Sequence, residues 1–177
     1  AFTLDTMDLS VGSQNYPYQL SFGRSYNSKS QYSDGVLGRG WTHSHDITAK
    51  KSSNGFFAMG EQYALPAAAT IAQLFVNVDI VSDTARPVAK ITTMTLADAW
   101  WIDQMVNNSV VVSYPATNQI FIKQPDGSYT PPVNFANTLT VLGGLYTITT
   151  PQGIKTNFNA SGQVSSVVFP NGVTVTY

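Results

Sequence analysis

Both histidines of this 177-residue chain stand two residues apart in His43-Ser44-His45, just after Trp41 and just ahead of Asp46. Alternate side chains of an extended strand share a face, so two imidazoles could hold one metal ion there. A site needs a third ligand, and Asp46 would fall on the opposite face of such a strand. No ligand-spacing motif supplies another. The plainer reading is that the histidines pack or hydrogen bond beside Trp41. Other chemistry has equally little support. The chain has no cysteine, which removes disulfides, iron–sulfur clusters, thiolate zinc sites and cysteine nucleophiles together. No Gly-x-Ser-x-Gly elbow is present for a serine nucleophile.

Paired carboxylates for glycoside hydrolysis are hard to assemble, because one glutamate, Glu61, accompanies nine aspartates. Asp34, Asp83 and Asp126 fall in turns or near helix ends, where a carboxylate caps backbone N–H groups. Asp5, Asp8, Asp98 and Asp103 read as solvated. The glycine-rich run Gly35-Val36-Leu37-Gly38-Arg39-Gly40 leads into a strand, so a phosphate would meet no helix N-terminus. The expectation is a protein with no catalytic residue, cofactor or metal ligand in this chain. Arg24 reads as structural: on an aromatic strand face its guanidinium can stack on Tyr26 or Trp41 and bond backbone carbonyls across the turn.

These residues must be positioned by strands. Tyr18, Leu20, Phe22, Arg24 and Tyr26 alternate onto one face, read as buried, and residues 41 to 47 alternate again. Asn54-Gly55 is a strong hairpin signal. The period then changes. Ala68, Ile71, Ala72, Phe75 and Val78 have the spacing of a helix face, and Ile91, Met94, Leu96, Ala97, Trp101 and Met105 form a second stripe, ended by Asn107-Asn108. Strands resume after residue 109, with Pro125-Asp126-Gly127 as a turn. The last third reads as four short strands, at 145–149, 154–158, 163–169 and 173–177. Turns carrying Gly153, Gly162 and Gly172 separate them, as in an antiparallel meander. The fold expected is mainly β (α+β): an antiparallel β-meander sheet with a two-helix hairpin inserted at about 64–108. Residues 1–177 form a single domain, a β segment over 1–60 and a meander over 109–177 flanking the insert, cut from a longer chain.

Composition narrows the class. Charged residues are 11% of the chain, the net charge is −1 and the pI about 6.1, so nucleic acid and anionic membranes are not expected partners. The longest apolar run, residues 64 to 78, is interrupted by Pro66, Thr70, Gln73 and Asn77, and no membrane span is expected.

Residues 146 to 177, YTITTPQGIKTNFNASGQVSSVVFPNGVTVTY, resemble a YD (Rhs) repeat: an aromatic strand, a glycine turn, a strand ending in Phe, Asn-x-x-Gly, an apolar strand, then Pro-Asn-Gly and a strand ending in Tyr. Arg24, Tyr26, Asn27 and Ser28, followed by Gly35, Leu37, Gly38, Gly40 and Trp41, resemble the region that precedes such repeats in bacterial Rhs-type proteins. The likeness covers roughly residues 1 to 60 and 109 to 177. It implies a non-enzymatic segment of a secreted or surface-exposed bacterial protein, whose long β-sheet coils into a shell around a C-terminal cargo, often a toxin. The partner would be the remainder of its own chain, further repeats included. The alternative is an adhesin module that binds carbohydrate or a cell-surface partner through exposed aromatics. Aromatic residues make up 12% of the chain. If Trp101 joins the apolar stripe, Trp100 lies at its border, about 100° round the helix, and could stack on a sugar.

Overall fold

The computed structural model describes residues 2–12, 20–60, 63–82, 85, 87–115 and 117–177. Tyr18, Glu61 and Asp83 lie outside the described residues, as does the side chain of Leu20. Three antiparallel sheets are present. The first is a ribbon of β1 (Thr3–Val11), β2 (Leu20–Asn27) and β3 (Trp41–His43), in that order. The second runs β4 (Thr48–Ser52), β5 (Ser109–Ser113), β6 (Asn118–Lys123) and β7 (Tyr129–Thr130). The third is a five-stranded meander of β8 (Thr138–Leu142), β9 (Leu145–Thr149), β10 (Lys155–Phe158), β11 (Val164–Val168) and β12 (Thr174–Thr176), each strand paired with the next. Between β4 and β5 the chain passes through α1 (Gly55–Ala58), α2 (Ala64–Ser82) and α3 (Pro87–Met105). The architecture is mainly β with a small helical part, as the periodicities predict.

The core lies between the second and third sheets. Ala49, Val110, Val112 and Phe121 from one meet Leu139, Tyr146, Ile148 and Phe158 from the other. Period-two alternation places Val110 and Val112, or Tyr146 and Ile148, on one face of their strands. Burial of the Tyr146 hydroxyl, with Tyr129 nearby, pushes its pKa up to about 12. Ile122 is also buried, but on the other face of β6 from Phe121. It lines a gap of about 10 Å³ with Ala58, Pro66, Ala69 and Asn108, so the base of the helical insert covers that face.

One turn recurs in the β6–β7 connection and in three connections of the meander. In Gln124–Ser128, Thr150–Ile154, Asn159–Gln163 and Phe169–Val173, the first residue's N–H donates to the carbonyl of the fifth. The N–H of the fourth donates to the carbonyl of the first, at 2.8–2.9 Å throughout. The fourth residue is always glycine, with φ between +76° and +85°. This is the type I turn plus left-handed residue that joins twisted strands without splaying them. At Gly162 the geometry also serves tertiary structure. Ala49 N–H donates to Gly162 O at 2.7 Å, and Val164 N–H donates to Ile47 O at 3.1 Å. A Cβ on Gly162 would fall on the Ala49 carbonyl oxygen. The turn thereby seams the meander to β4.

Four expectations need correction. Asn54-Gly55 is no hairpin turn: Asn54 caps α1, its side chain accepting from Phe57 N–H at 3.2 Å, and β4 pairs with β5 beyond the insert. The face of β2 read as buried is only partly so, with Phe22 and Tyr26 half-buried and Arg24 exposed. The apolar stripe of α2 is turned outward. Ala68, Ile71, Ala72, Phe75 and Val78 are exposed, while Pro66, Ala69 and Gln73 are buried. In α3, Met94, Ala97, Trp101 and Met105 are half-buried as read, whereas Ile91 and Leu96 are exposed. Finally, by length and composition alone, α2 could cross a membrane. The interruptions at Pro66, Thr70, Gln73 and Asn77 do not break it. Pro66 sits in the first turn, where no intrahelical N–H is lost, and the other three are bonded within the hairpin.

Candidate functional site

The polar residues of the ribbon converge on Arg24. Its pairing partner in β1 is Thr6, and β1 carries a bulge between Met7 and Leu9, which inserts Asp8 as an extra residue. Bulges re-aim side chains. Here Asp8 reaches Arg24, whose Nε and Nη2 donate to its two carboxylate oxygens at 2.6 and 2.7 Å. These two donors hold the Asp8 carboxyl below the usual carboxylate range. The guanidinium also lies 5.6 Å from the Trp41 ring centroid. Trp41 and Tyr26 are direct cross-strand partners, their rings 5.4 Å apart. Arg24 therefore stacks as its setting predicts, but its head bonds a carboxylate rather than backbone carbonyls, and Asp8 is paired rather than merely solvated.

The loop between β2 and β3 is closed by backbone and small residues. The Asn27 side chain accepts from Lys29 N–H at 2.9 Å, and Asn27 N–H donates to Gly40 O at 2.9 Å. Gly40 has φ +75°, and a Cβ there would stand 2.7 Å from the Tyr26 ring. One on Gly35 would stand 2.6 Å from the Trp41 carbonyl. Both positions need glycine because the loop folds directly onto the aromatic pair. Gly38 lies in the same loop with open space around it, and Leu37 is exposed. The residues of the Arg24-to-Trp41 motif thus form one unit in which Arg24, Tyr26 and Trp41 touch and the glycines make room.

The histidines do not sit on one strand: β3 ends at His43, and Ser44-His45 is a turn. That turn brings Asp46 to the same cavity of about 260 Å³ that both histidines line. Even so, no group of three His, Cys, Asp or Glu side chains among the described residues could hold a metal ion. Both ring nitrogens of His45 are engaged. Nε2 lies 2.8 Å from Ser21 O, and Nδ1 lies 2.9 Å from the Tyr177 hydroxyl. Nε2–H therefore donates to the carbonyl, and Nδ1 accepts from the tyrosine. His43 stacks on Phe22 at 5.5 Å and accepts from His45 N–H at 3.2 Å. The pair is a latch between the ribbon and the end of the meander. Burial raises the Tyr177 pKa, which keeps its hydroxyl a donor.

Trp100 is on the outer side of α3, 39% exposed, with Trp101 half-buried beside it. Two cavities along the ribbon, of about 340 and 400 Å³, have no Phe, Tyr or Trp among the described residues of their walls, whereas the cavity at the histidines has Tyr177 in its wall.

One functional arrangement escapes sequence reasoning. Asn108 is buried and bonds both backbone groups of Asn54, accepting from its N–H at 2.7 Å and donating to its carbonyl at 2.6 Å. Asn107, with φ +54°, ends α3 in the left-handed conformation just before it. The two ends of the insert are clamped where they leave the sandwich. The only sequence signal is the doublet Asn107-Asn108, which reads as a helix stop.

A family model described as a domain of unknown function (DUF6531) matches residues 1–64, about a third of the chain. That span holds the ribbon, the glycine loop, the histidine turn and β4. No curated protein and no solved structure matches the chain.

Proposed function

We propose that this chain is a non-enzymatic structural module that begins the β-shell of a secreted or surface-exposed bacterial protein of the Rhs/YD-repeat kind, whose C-terminal cargo lies elsewhere. The observation that carries the reading is β1. It forms the outer edge of its sheet and is exposed from Thr3 to Val11, including Leu4, Met7, Leu9 and Val11. A long exposed edge strand with apolar side chains is a template for further strands. At the other end of the molecule β12 is the outer strand of the meander. The repeated glycine turn supplies a unit that can be added again without changing its geometry, and the repeat-like sequence of residues 146 to 177 is that unit. The Arg24–Trp41 unit and the His45–Tyr177 latch then hold the ribbon's angle to the wall rather than serving a reaction.

The test is a cryo-EM structure of the natural polypeptide that contains this chain. The expected result is that additional strands pair with β1 and β12 in a curved wall. Should both edges remain solvent-exposed, or the natural polypeptide end within a few residues of Tyr177, the shell reading fails. A glycan array probed with the chain separates the adhesin alternative. Binding that Trp100→Ala abolishes would favour that alternative.

A further inference from the structure

We infer that the α2–α3 hairpin inserts into the hydrocarbon of a lipid bilayer. The hairpin is built inside out. Its polar side chains meet between the helices: Gln73 Nε2 donates to Asp98 Oδ1 at 2.9 Å and to Asn77 Oδ1 at 3.3 Å, and Asn77 Nδ2 reaches Asp98 at 3.5 Å. Many of its apolar side chains face out, while Val76, Ile80, Met94, Trp101 and Met105 are half-buried. Leu74, Phe75 and Val78 on α2, and Val88, Ile91, Leu96 and Ile102 on α3, are each at least 58% exposed. In water this pattern is unfavourable; in hydrocarbon it is the stable one, with polar groups paired inside and apolar groups toward lipid.

Three further features suit lipid. First, charge in the two helices lies near their ends except at Asp98, which is exposed. Among the residues of α2, the first charged one is Asp79, near its end, while Lys90 and Asp103 lie near the two ends of α3. Asp98, the single charged residue between them, is the one bonded by Gln73 and Asn77. Second, hydroxyls on both helices are bonded to the carbonyl four residues earlier: Thr70 to Pro66, Thr92 to Val88, Thr93 to Ala89 and Thr95 to Ile91, at 2.9–3.1 Å. Such bonding leaves no hydroxyl of these threonines without a partner where water is excluded, as hydrocarbon requires. Third, each helix has 19 residues, about 28 Å at 1.5 Å per residue, against a hydrocarbon core of about 30 Å, and α2, though not α3, is apolar enough to cross it by composition. At the base, Phe56 and Trp100 are exposed, Asp103 bonds Lys123 at 3.3 Å, and the Asn54–Asn108 clamp fixes the hairpin to the sandwich. Aromatic rings near the base suit the interfacial level. The inference stands apart from the shell reading, since it uses no residue of the ribbon or the meander.

The test mixes the chain with phosphatidylcholine vesicles, which carry no net charge, and measures flotation on a density gradient and quenching of tryptophan emission by acyl-chain bromines. The expected result is flotation that resists high salt, with quenched emission. In the double variant Phe75→Asp/Val78→Asp the bound fraction should fall by at least roughly tenfold, while the thermal melt without lipid stays unchanged, because both side chains are solvent-facing. Absence of flotation overturns the inference. So does flotation that salt abolishes without quenching, which would mark a headgroup contact. A lipid-free dimer that the double variant dissociates, with no flotation, assigns the face to a second copy instead.

Discussion

The sandwich and the hairpin use apolar residues in opposite ways. In the sandwich, Phe121, Phe158 and Ile148 are at most 2% exposed and two sheets cover them from both sides. In the hairpin, Phe75 is 72% exposed, and the helices are bridged by a polar bond from Gln73 to Asp98, while Ala69 and Gln73 are buried. One region follows the rule that large apolar side chains seek each other. The other follows the rule that polar groups seek each other when their surroundings offer no water. The difference teaches that periodicity reveals the kind of element, whereas the side facing inward is decided by what surrounds it.

The largest effect that would break this contrast is in the sandwich core. Phe158→Ala should cost about 3–5 kcal/mol, seen as a large drop in the denaturation midpoint. Phe75→Ala should change the midpoint by no more than about 0.5 kcal/mol. Equal losses in the two variants would mean that Phe75 is covered within this chain and that the hairpin is not inside out.

Next comes the seam. Gly162→Ala forces a side chain into a left-handed backbone and onto the Ala49 carbonyl, and should cost about 3 kcal/mol. Gly172→Ala shares the backbone conformation, with φ +85°, but has open space around it, so about 1 kcal/mol is expected. Chemical denaturation of the two variants reads the difference directly. Matching losses would show that the turn alone matters and that the β4 contact adds nothing.

The strands at 145–149 to 173–177 were legible because every turn carries glycine where a left-handed residue is required, and alternation fixes the rest. The strand β8 and its Gly143-Gly144 turn carry the same kind of signal, with φ +58° and +81°, but pass unread beside the clearer repeats. The inward face of α2 was illegible for a physical reason. Counting apolar residues rewards size, and the interface went to small residues and to Gln73, whose partner Asp98 is 25 residues away. The Asp8–Arg24 pair was hidden by the bulge, which no alternation in Thr6-Met7-Asp8-Leu9 discloses. The histidine pair misled because the strand ends at His43, and a two-residue spacing means a shared face only while the chain stays extended.

The clamp that joins the two regions gives the third prediction. Asn108→Ala removes two short bonds, leaving the Asn54 N–H unmatched in a half-buried setting and its carbonyl with the Ala58 N–H alone, at 3.2 Å, which should cost roughly 2–3 kcal/mol. The loss should be accompanied by faster amide exchange through α1 and the first turn of α2, while the meander stays protected. Uniform loosening across all three sheets would show that hairpin and sandwich form one cooperative unit rather than two.

The smallest effect separates both regions from the ribbon, where nothing covers the polar site. Asp8 has its pKa lowered by the two hydrogen bonds from Arg24. A carboxylate with a depressed folded pKa contributes stability above the ordinary carboxylate range and loses it as pH falls through the folded value. The melting temperature of the chain should therefore exceed that of Asp8→Asn at neutral pH, and the two should converge as pH is taken below about 4. The difference at neutral pH should be small, since exposed ion pairs are screened. Arg24→Ala should lose more than Asp8→Asn, because it also removes the stack on Trp41, and that extra loss should persist in acid, where the ring contact carries no titrating group. A gap between the chain and Asp8→Asn that is independent of pH would mean that Asp8 acts by the shape of the bulge and not by its charge. The ribbon would then depend on backbone geometry, as the seam does at Gly162, and its polar cluster would contribute direction rather than energy.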